Sequence, residues 1–208
     1  VLFRSMPDLT DTVESAKDGW LYTLTMPREL ILHEGKLRYR PVEEMKNLRK
    51  DFVNIDVANT AQISEKLAKG SESDLTVTFG KARNVTVALK WGEEKFTMSY
   101  DRDNQIMTLD RSGMKLGGNG IRKFTDGKNT DVELSTRKFK LFANLDLQFD
   151  LFVDRSVIEI FLQNGEEACS MLIYPEDKNA NPVLEITGDN ALEKVSGKIY
   201  ELGELSYK

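Results

Sequence analysis

Apolar and polar residues alternate with a period of two through several stretches of this chain. In residues 85–90 every second residue is branched and apolar, and the same alternation runs through residues 145–154 and 157–162. Successive side chains of a strand point to opposite faces, so this period predicts strands with one buried face. Phe152 interrupts the alternation of 145–154, and we expect that strand to be covered on both faces near its end. Further strands are predicted at residues 75–79, 95–100, 105–110, 169–174 and 183–187.

Residues that favour turns separate these stretches. Asn164-Gly165 is suited to the two left-handed positions of a type I′ hairpin turn, and Asp103-Asn104 predicts another tight turn. The four residues 117–120, three of them glycine, predict a flexible loop. Many short strands with turn signals between them, and no helix after each strand, predict an all-β fold of antiparallel sheets packed as a β-sandwich.

The first fifty residues follow a different pattern. Trp20, Tyr22 and Leu24 alternate with other residues and predict one strand with few local partners. Residues 41–50 begin with Pro41, carry two acidic residues next and basic residues near the end, and space apolar residues at helical intervals. This order matches the helix dipole and predicts a short helix. The sequence therefore divides into residues 1–40, a linker helix at 41–50, and a sandwich at 51–208.

Composition and charge exclude several classes of protein. The 208 residues are 40% hydrophobic and 30% charged, with a formal net charge of −5, which is typical of a globular protein and unsuited to nucleic acid. No stretch is apolar for long enough to cross a bilayer. Cys169 is the only cysteine, so no internal disulfide is possible. Residues 1–5 lack the order of a signal peptide, and position 1 is Val rather than Met, so the chain is interpreted as a piece of a longer protein.

Two long segments resemble a known family. The first runs through residues 18–42 and contains Met26-Pro27-Arg28-Glu29-Leu30; the second begins Phe152-Val153-Asp154-Arg155-Ser156 and continues through Asn164-Gly165 to Ile173-Tyr174-Pro175. Both resemble glycoside hydrolase family 32, the β-fructofuranosidases that include bacterial sucrose-6-phosphate hydrolases. The resemblance implies that residues 1–40 are a remnant of the last blade of a catalytic propeller, with Met6-Pro7-Asp8 near its start. It also implies that the sandwich is of the lectin or concanavalin-like kind.

The catalytic elements of that family are missing from this sequence. Its nucleophile lies in an Asn-Asp-Pro-Asn motif, a stabilising Asp in Arg-Asp-Pro, and its acid/base Glu before a Cys; a retaining glycosidase needs two such carboxylates. No Asp-Pro step occurs here, and Cys169 follows Ala168 rather than Glu. We therefore predict no catalytic residue in this chain. The resemblance implies that the parent hydrolyses sucrose or sucrose 6-phosphate with retention, in the cytoplasm.

Several residues that could carry chemistry have a simpler interpretation. The tripeptide Asp-Arg-Ser occurs at 110–112 and 154–156, where an Arg could grip a phosphate, but turn capping by Asp with a surface ion pair is favoured. The carboxylates Asp154, Glu159, Glu166 and Glu167 are predicted to be a solvated surface. His33 has no second ligand at metal spacing, so no metal site is predicted, and no organic cofactor either. Cys169 is interpreted as a small buried residue rather than a nucleophile.

The aromatic residues leave more than one function open. A sugar ring could be bound by members of the set Trp91, Phe96, Tyr100, Phe139, Phe142 and Tyr174. Core packing is favoured for each of them, and Trp91, at a likely turn, is the weak candidate for sugar binding. Three functions remain: a brace for the missing propeller, a lectin-like module that binds a fructan or sucrose derivative, and the interface of a homo-oligomer. The resemblance favours the first.

Overall fold

The structure is a computed structural model that describes residues 2, 5–6, 17, 19, 23–115, 121–122, 132–133 and 135–204. Its strands are β1 (Ser5–Met6), β2 (Thr23–Leu24), β3 (Arg28–His33), β4 (Lys36–Pro41), β5 (Arg49–Lys66), β6 (Gly70–Thr78), β7 (Asn84–Trp91), β8 (Glu94–Asp101), β9 (Ile106–Gly113), β10 (Ile121–Arg122), β11 (Val132–Glu133), β12 (Thr136–Lys140), β13 (Asp146–Asp154), β14 (Val157–Leu162), β15 (Glu167–Leu172) and β16 (Val183–Leu202). A 3₁₀ helix spans Glu43–Leu48. All the strand pairs in these ranges are antiparallel.

A ribbon of two long strands, β5 and β16, joins the two layers of a sandwich. The first part of β16, residues 183–188, pairs with β7, and residues 194–201 pair with β6. β5 lies along the other side of β16 and pairs with both parts. One layer continues from β7 through β8 and β9 to β12, and the other continues from β6 through β13 and β14 to β15. The predicted antiparallel β-sandwich is thus confirmed.

The core lies between these layers and contains the alternating residues that the sequence predicted. Val85, Val87 and Leu89 of β7 are buried in the same cluster as Ile158 and Ile160 of β14. The residues that alternate with them along each strand point away from this cluster, because successive side chains of a strand point to opposite faces. Tyr100 lies in the core, and its hydroxyl donates to the carbonyls of Leu141 and Ala143 at 3.0 and 3.3 Å.

The residues before the sandwich form two small sheets and the predicted short helix. β2 pairs with β1, and β3 forms a hairpin with β4 through a turn at Glu34 and Gly35, both of which have positive φ. The sequence did not predict this hairpin. The helix begins within the predicted range 41–50 and is of the 3₁₀ type, which suits apolar residues spaced by three. Trp20 and Tyr22, and the loop predicted at residues 117–120, lie outside the described residues.

The predicted turn at Asn164-Gly165 is present with a different length. Asn164 and Gly165 have φ of +55° and +84°, the left-handed conformation expected of them, but Gln163 also has a positive φ of +48°. The connection between β14 and β15 spans residues 163–166, because Leu162 and Glu167 are the last paired residues. The prediction of a two-residue type I′ turn was therefore wrong. The longer turn places Gly165 against the N-terminal hairpin.

Candidate functional site: the joint between the N-terminal hairpin and the sandwich

The β3–β4 hairpin lies against the outer side of the sandwich, beside the turn that joins β14 and β15. The backbone N–H of Tyr39 donates to the carbonyl of Gly165 at 2.8 Å, and Arg38 Nη1 donates to the carbonyl of Gln163 at 3.0 Å. At the start of the helix, the N–H of Val42 donates to the carbonyl of Pro27 at 3.2 Å. These hydrogen bonds fix β4 to the sandwich and hold both ends of the hairpin together.

A buried charged network lies beneath the start of β3. The guanidinium of Arg28 forms an ion pair with the carboxylate of Glu159 on β14 and donates to Ser170 on β15. The second Glu159 oxygen accepts the backbone N–H of Met26 at 2.8 Å, and Ser170 Oγ donates to Glu159 at 2.7 Å. Glu159 is only 3% exposed. A charge buried to this degree is stable only when it is paired and hydrogen-bonded, so this network holds the N-terminal segment in one position.

Aromatic rings continue the joint away from the ion pair. The Arg28 guanidinium lies over the ring of Phe161, 5.2 Å from its centroid, and Phe161 makes an edge contact with Phe152 at 6.1 Å between centroids. Both rings are buried although they lie on the face opposite the core. This confirms the prediction that the strand containing Phe152 is covered on both faces. The covering comes from the N-terminal segment.

At Gly165 the backbones of the two parts lie close together. A Cβ atom built on Gly165 would lie 2.0 Å from the carbonyl oxygen of Tyr39 and 2.8 Å from its carbon. Its φ of +84° also lies in the region that only glycine adopts without strain. No other residue type fits here without moving β4.

A cleft of about 470 Å³ lies next to the joint, between the 3₁₀ helix and the outer face of β6 and β13. Arg49 makes a two-pronged ion pair with Glu72, and its guanidinium lies 4.1 Å from the centroid of the Tyr200 ring. Asp150 shares this face. Burial, together with the negative charges of Glu72 and Asp74, raises the pKa of Asp150 to about 9, so this carboxyl is neutral near pH 7.

The predicted solvated carboxylate surface is wrong for Glu159. Asp154 is exposed and Glu166 and Glu167 are partly exposed, but Glu159 is buried against Arg28. The sequence contains a pattern from which the burial of Glu159 could have been predicted. Val157 and Phe161 lie two residues on either side of Glu159 and share its face, which indicates a covered face. The partner Arg28 gave no comparable signal.

The remaining candidates have structural surroundings. In the first Asp-Arg-Ser, Asp110 accepts the N–H of Ser112 at 2.7 Å, as the capping interpretation expects, although this tripeptide lies inside β9. In the second, Arg155 lies in the β13–β14 turn and faces the exposed Glu204 at 3.8 Å. His33 is exposed, 4.0 Å from Glu34. Cys169 is partly buried rather than fully buried as the sequence predicted. Desolvation still raises the pKa of its thiol to about 11, which is opposite to the shift that a reactive thiol needs.

The aromatic candidates divide into core and surface residues. Phe96 and Tyr100 are core residues, whereas Phe142 is 62% exposed. Trp91 is 6% exposed, yet it lines a cavity of about 720 Å³ at one end of the sandwich together with Tyr174. The weak sugar-binding candidate from the sequence therefore lies at the larger of the two cavities described here.

Among the residues that the structure describes, no group of three or more His, Cys, Asp and Glu side chains is placed to hold a metal ion. Within the same residues, no helix has the length and apolar character required to span a membrane.

Comparison with known proteins explains this arrangement. The family described as "Glycosyl hydrolases family 32 C terminal" matches residues 44–198. The chain belongs to this family. The resemblance found in the sequence is therefore confirmed, and the matched residues run from the 3₁₀ helix into β16.

Curated relatives in the family are sucrose-6-phosphate hydrolases from bacteria. The Staphylococcus xylosus enzyme is 29% identical over 185 residues, which cover 87% of this chain and 34% of that protein. The Bacillus subtilis enzyme is 27% identical over 182 residues, covering 83% of this chain and 32% of that protein. The chain thus spans about a third of the length of the curated relatives it matches.

Solved structures share the fold. The Bombyx mori β-fructofuranosidase superposes with a TM-score of 0.72 and 20% identity, covering 97% of this chain and 38% of that one. The sucrose-6-phosphate hydrolase from Lactobacillus gasseri superposes with a TM-score of 0.69 and 21% identity, covering 92% of this chain and 36% of that one.

Proposed function

We propose that this chain is the non-catalytic C-terminal part of a β-fructofuranosidase and that it braces the catalytic propeller of the same polypeptide. Residues 1–40 would then be the end of the last propeller blade, 41–50 the linker and 51–208 the bracing sandwich. The proposed reaction of the parent is hydrolysis of sucrose or sucrose 6-phosphate, in the cytoplasm. The names of the bacterial relatives support this assignment.

The observation that carries the proposal is the apolar outer face of the β3–β4 hairpin. Leu30, Leu32 and Leu37 share one face, because Leu32 lies opposite Leu37 in the hairpin register and Leu30 follows at a spacing of two. They are 47%, 72% and 54% exposed. A cluster of large exposed apolar side chains marks a surface that another protein surface covers. We assign that surface to the propeller, since the relatives contain about twice as much additional chain as the part matched here.

The buried network at the start of the same strand supports a bracing role. Arg28 is held by Glu159 and Ser170 of the sandwich, while the leucines of the same strand face outwards. A strand that is fixed at its start and carries exposed apolar residues further along can transmit rigidity between the two parts it contacts. The joint thus supplies a fixed attachment for a propeller blade.

The buried glutamates of the described residues support a non-catalytic role. Glu159 and Glu72 are each paired with an arginine, and Glu94 accepts the N–H groups of Lys115 and Glu176 at 2.9 and 2.8 Å. A retaining glycosidase needs two carboxyl groups about 5 Å apart across an open site, one of them free to attack. Buried acids that are engaged in ion pairs and backbone hydrogen bonds do not supply such a pair.

The first experiment is an activity assay of the purified chain. We expect no release of fructose from sucrose or sucrose 6-phosphate at protein concentrations far above those needed for the Staphylococcus xylosus enzyme, run as the positive control. Circular dichroism on the same sample establishes that the chain is folded. Fructose release above the uncatalysed rate would overturn the non-catalytic assignment.

A second experiment tests the brace. The part of the Staphylococcus xylosus enzyme that this chain does not match is produced alone, and its binding to the present chain is measured by analytical ultracentrifugation. We expect binding that Leu32→Asp weakens at least tenfold. Leu145→Asp is the matched control, because Leu145 is 62% exposed outside the hairpin. Equal effects of the two substitutions, or no binding, would contradict the bracing surface.

A further inference from the structure

We propose that the cavity at the end of the sandwich binds a phosphorylated saccharide. This inference goes beyond the bracing role and does not depend on it. It rests on the position, lining and hydrogen bonding of the cavity that Trp91 and Tyr174 share.

The cavity forms where separate parts of the chain end at the same edge of the sandwich. Trp91 is the last residue of β7, Lys69 lies just before β6, and Arg155 and Ser156 form the turn between β13 and β14. Residues 174–182, which connect β15 to β16, complete the lining with Tyr174 and Asn179. Its volume of about 720 Å³ lies in the range of small-molecule sites.

Backbone hydrogen bonds fix the walls of the cavity. The N–H of Ile173 donates to the carbonyl of Ser156 at 2.8 Å, and the N–H of Leu67 donates to the carbonyl of Pro182 at 2.9 Å. The carboxylate of Asp177 accepts the N–H of Asn179 at 2.8 Å. The connecting segment is therefore tied to its neighbours on both sides. A site that is preformed in this way spares a ligand the cost of ordering loops.

Apolar side chains form part of the cavity wall, among them Trp91, Val153 and Tyr174. Trp91 and Tyr174 are 6% and 7% exposed, so each presents a small part of its ring to the cavity. Buried Trp residues usually find an acceptor for the indole N–H. In the proposed complex a hydroxyl of the sugar takes this role. This combination suits a sugar, which offers apolar C–H faces and hydroxyl acceptors together.

The charged residues that line the cavity are mostly cationic, with Lys17, Lys69, Arg155 and Lys178 against the carboxylate of Asp177. Lys69 is a cation whose hydrogen bond within the described ranges goes to a neutral acceptor, Asn179 Oδ1, at 3.2 Å. Arg155 faces Glu204 at 3.8 Å with both side chains exposed, which is a weak and exchangeable contact. A phosphate placed between Lys69 and Arg155 would receive charge-assisted hydrogen bonds from both. Asn179 and Ser156 add groups that bind sugar hydroxyls.

The test is a titration of the purified chain followed by calorimetry, with sucrose 6-phosphate, sucrose and inorganic phosphate as the probes. We expect saturable binding of sucrose 6-phosphate, at least tenfold tighter than binding of either sucrose or inorganic phosphate. Absence of saturable binding by folded protein would overturn the proposal. Equal affinity for inorganic phosphate and sucrose 6-phosphate would overturn the saccharide part of it.

Variants locate the site. Lys69→Gln should weaken binding of sucrose 6-phosphate at least tenfold, whereas Lys140→Gln should leave it within a factor of two. Lys140 is the matched control because its ammonium also donates to a neutral acceptor, the carbonyl of Asn104 at 2.8 Å, away from the cavity. Trp91→Phe keeps an aromatic ring and removes the N–H, and should weaken binding several-fold without unfolding the chain. Unchanged binding in Lys69→Gln would contradict the proposed position.

Discussion

Arg28 on the N-terminal hairpin forms a buried ion pair with Glu159 on β14, and 131 positions of sequence separate them. This is the contact that makes the joint one unit with the sandwich. The Arg28 guanidinium also contacts the Phe161 ring and the Ser170 hydroxyl, and the side chains of the pair are only 10% and 4% exposed. Loss of one partner therefore leaves an uncompensated buried charge rather than a solvated one.

We expect Glu159→Gln to lower the free energy of unfolding by about 3 kcal/mol, because it leaves the Arg28 guanidinium buried without a counter-charge. Urea denaturation followed by circular dichroism measures this value. The control is Asp103→Asn, which removes the exposed ion pair with Arg83 and should cost less than about 0.5 kcal/mol. Similar losses in both variants would mean that the buried pair contributes no more than a surface one.

Gly165→Ala should destabilise the chain by about 2 kcal/mol or more, because the new Cβ would collide with the Tyr39 carbonyl as well as strain the backbone. Gly92→Ala separates the two effects. Gly92 also has a positive φ, of +61°, but has nothing within 4 Å of a built Cβ, so strain alone should cost it about 1 kcal/mol. Thermal unfolding of both variants measures the difference, and equal costs would contradict the close approach at Tyr39.

The sequence predicted the strands whose alternation is complete and missed those whose alternation is weak. Val85, Val87 and Leu89 face a core on one side and so leave a period of two in the sequence. β5 spans Arg49–Lys66, but of its apolar residues only Ile55 and Ile63 are buried. A strand that pairs along only one of its two edges needs few apolar residues. Its backbone hydrogen bonds, which depend on β16, cannot be inferred from its own residues.

The joint was harder to predict because its two sides are far apart in the sequence. Phe152 indicated a second covered face, but nothing in the sequence identified Arg28 and the hairpin as the cover. Glu159 was predicted as solvated because Glu on a hairpin usually is. The cavity around Trp91 depends in the same way on loops from different strands. Residue types indicated that Trp91 was a candidate, while the position of the rim cations required the fold.

Cys169 should react slowly with iodoacetamide in the folded chain, because burial, followed by the negative charge of Glu167, raises the pKa of its thiol to about 11. At pH 8 only about a thousandth of such a thiol is ionised, against roughly a quarter for an unperturbed one. We expect alkylation at least 50-fold slower than in the urea-unfolded chain, measured by mass spectrometry over time. The folded rate should rise about tenfold between pH 8 and pH 9. A folded rate within a few-fold of the unfolded one would contradict the burial of the thiol.

Asp150 should make the chain less stable as the pH rises from about 5 to 8. Burial and the charges of Glu72 and Asp74 raise the pKa of its carboxyl to about 9 in the folded state, against about 3.9 in the unfolded chain. Between these values the folded chain keeps a proton that the unfolded chain has lost. The free energy of unfolding that this carboxyl contributes therefore falls with increasing pH. Asp150→Asn removes this dependence and should stabilise the chain by about 1–2 kcal/mol at pH 8, with a smaller gain at pH 5.

Asp189 provides the control of opposite sign for that measurement. Hydrogen bonds from the Asn84 side chain and the Arg83 N–H lower the pKa of Asp189, so its stabilisation is present above the usual pKa of an aspartate and is lost only as the pH falls below it. Asp189→Asn should therefore destabilise the chain by the same amount at pH 5 and pH 8. Urea denaturation of both variants at the two pH values measures the contrast. If Asp150→Asn also gives a constant difference from pH 5 to pH 8, or is destabilising at pH 8, Asp150 is ionised in the folded chain and Arg49 compensates its charge.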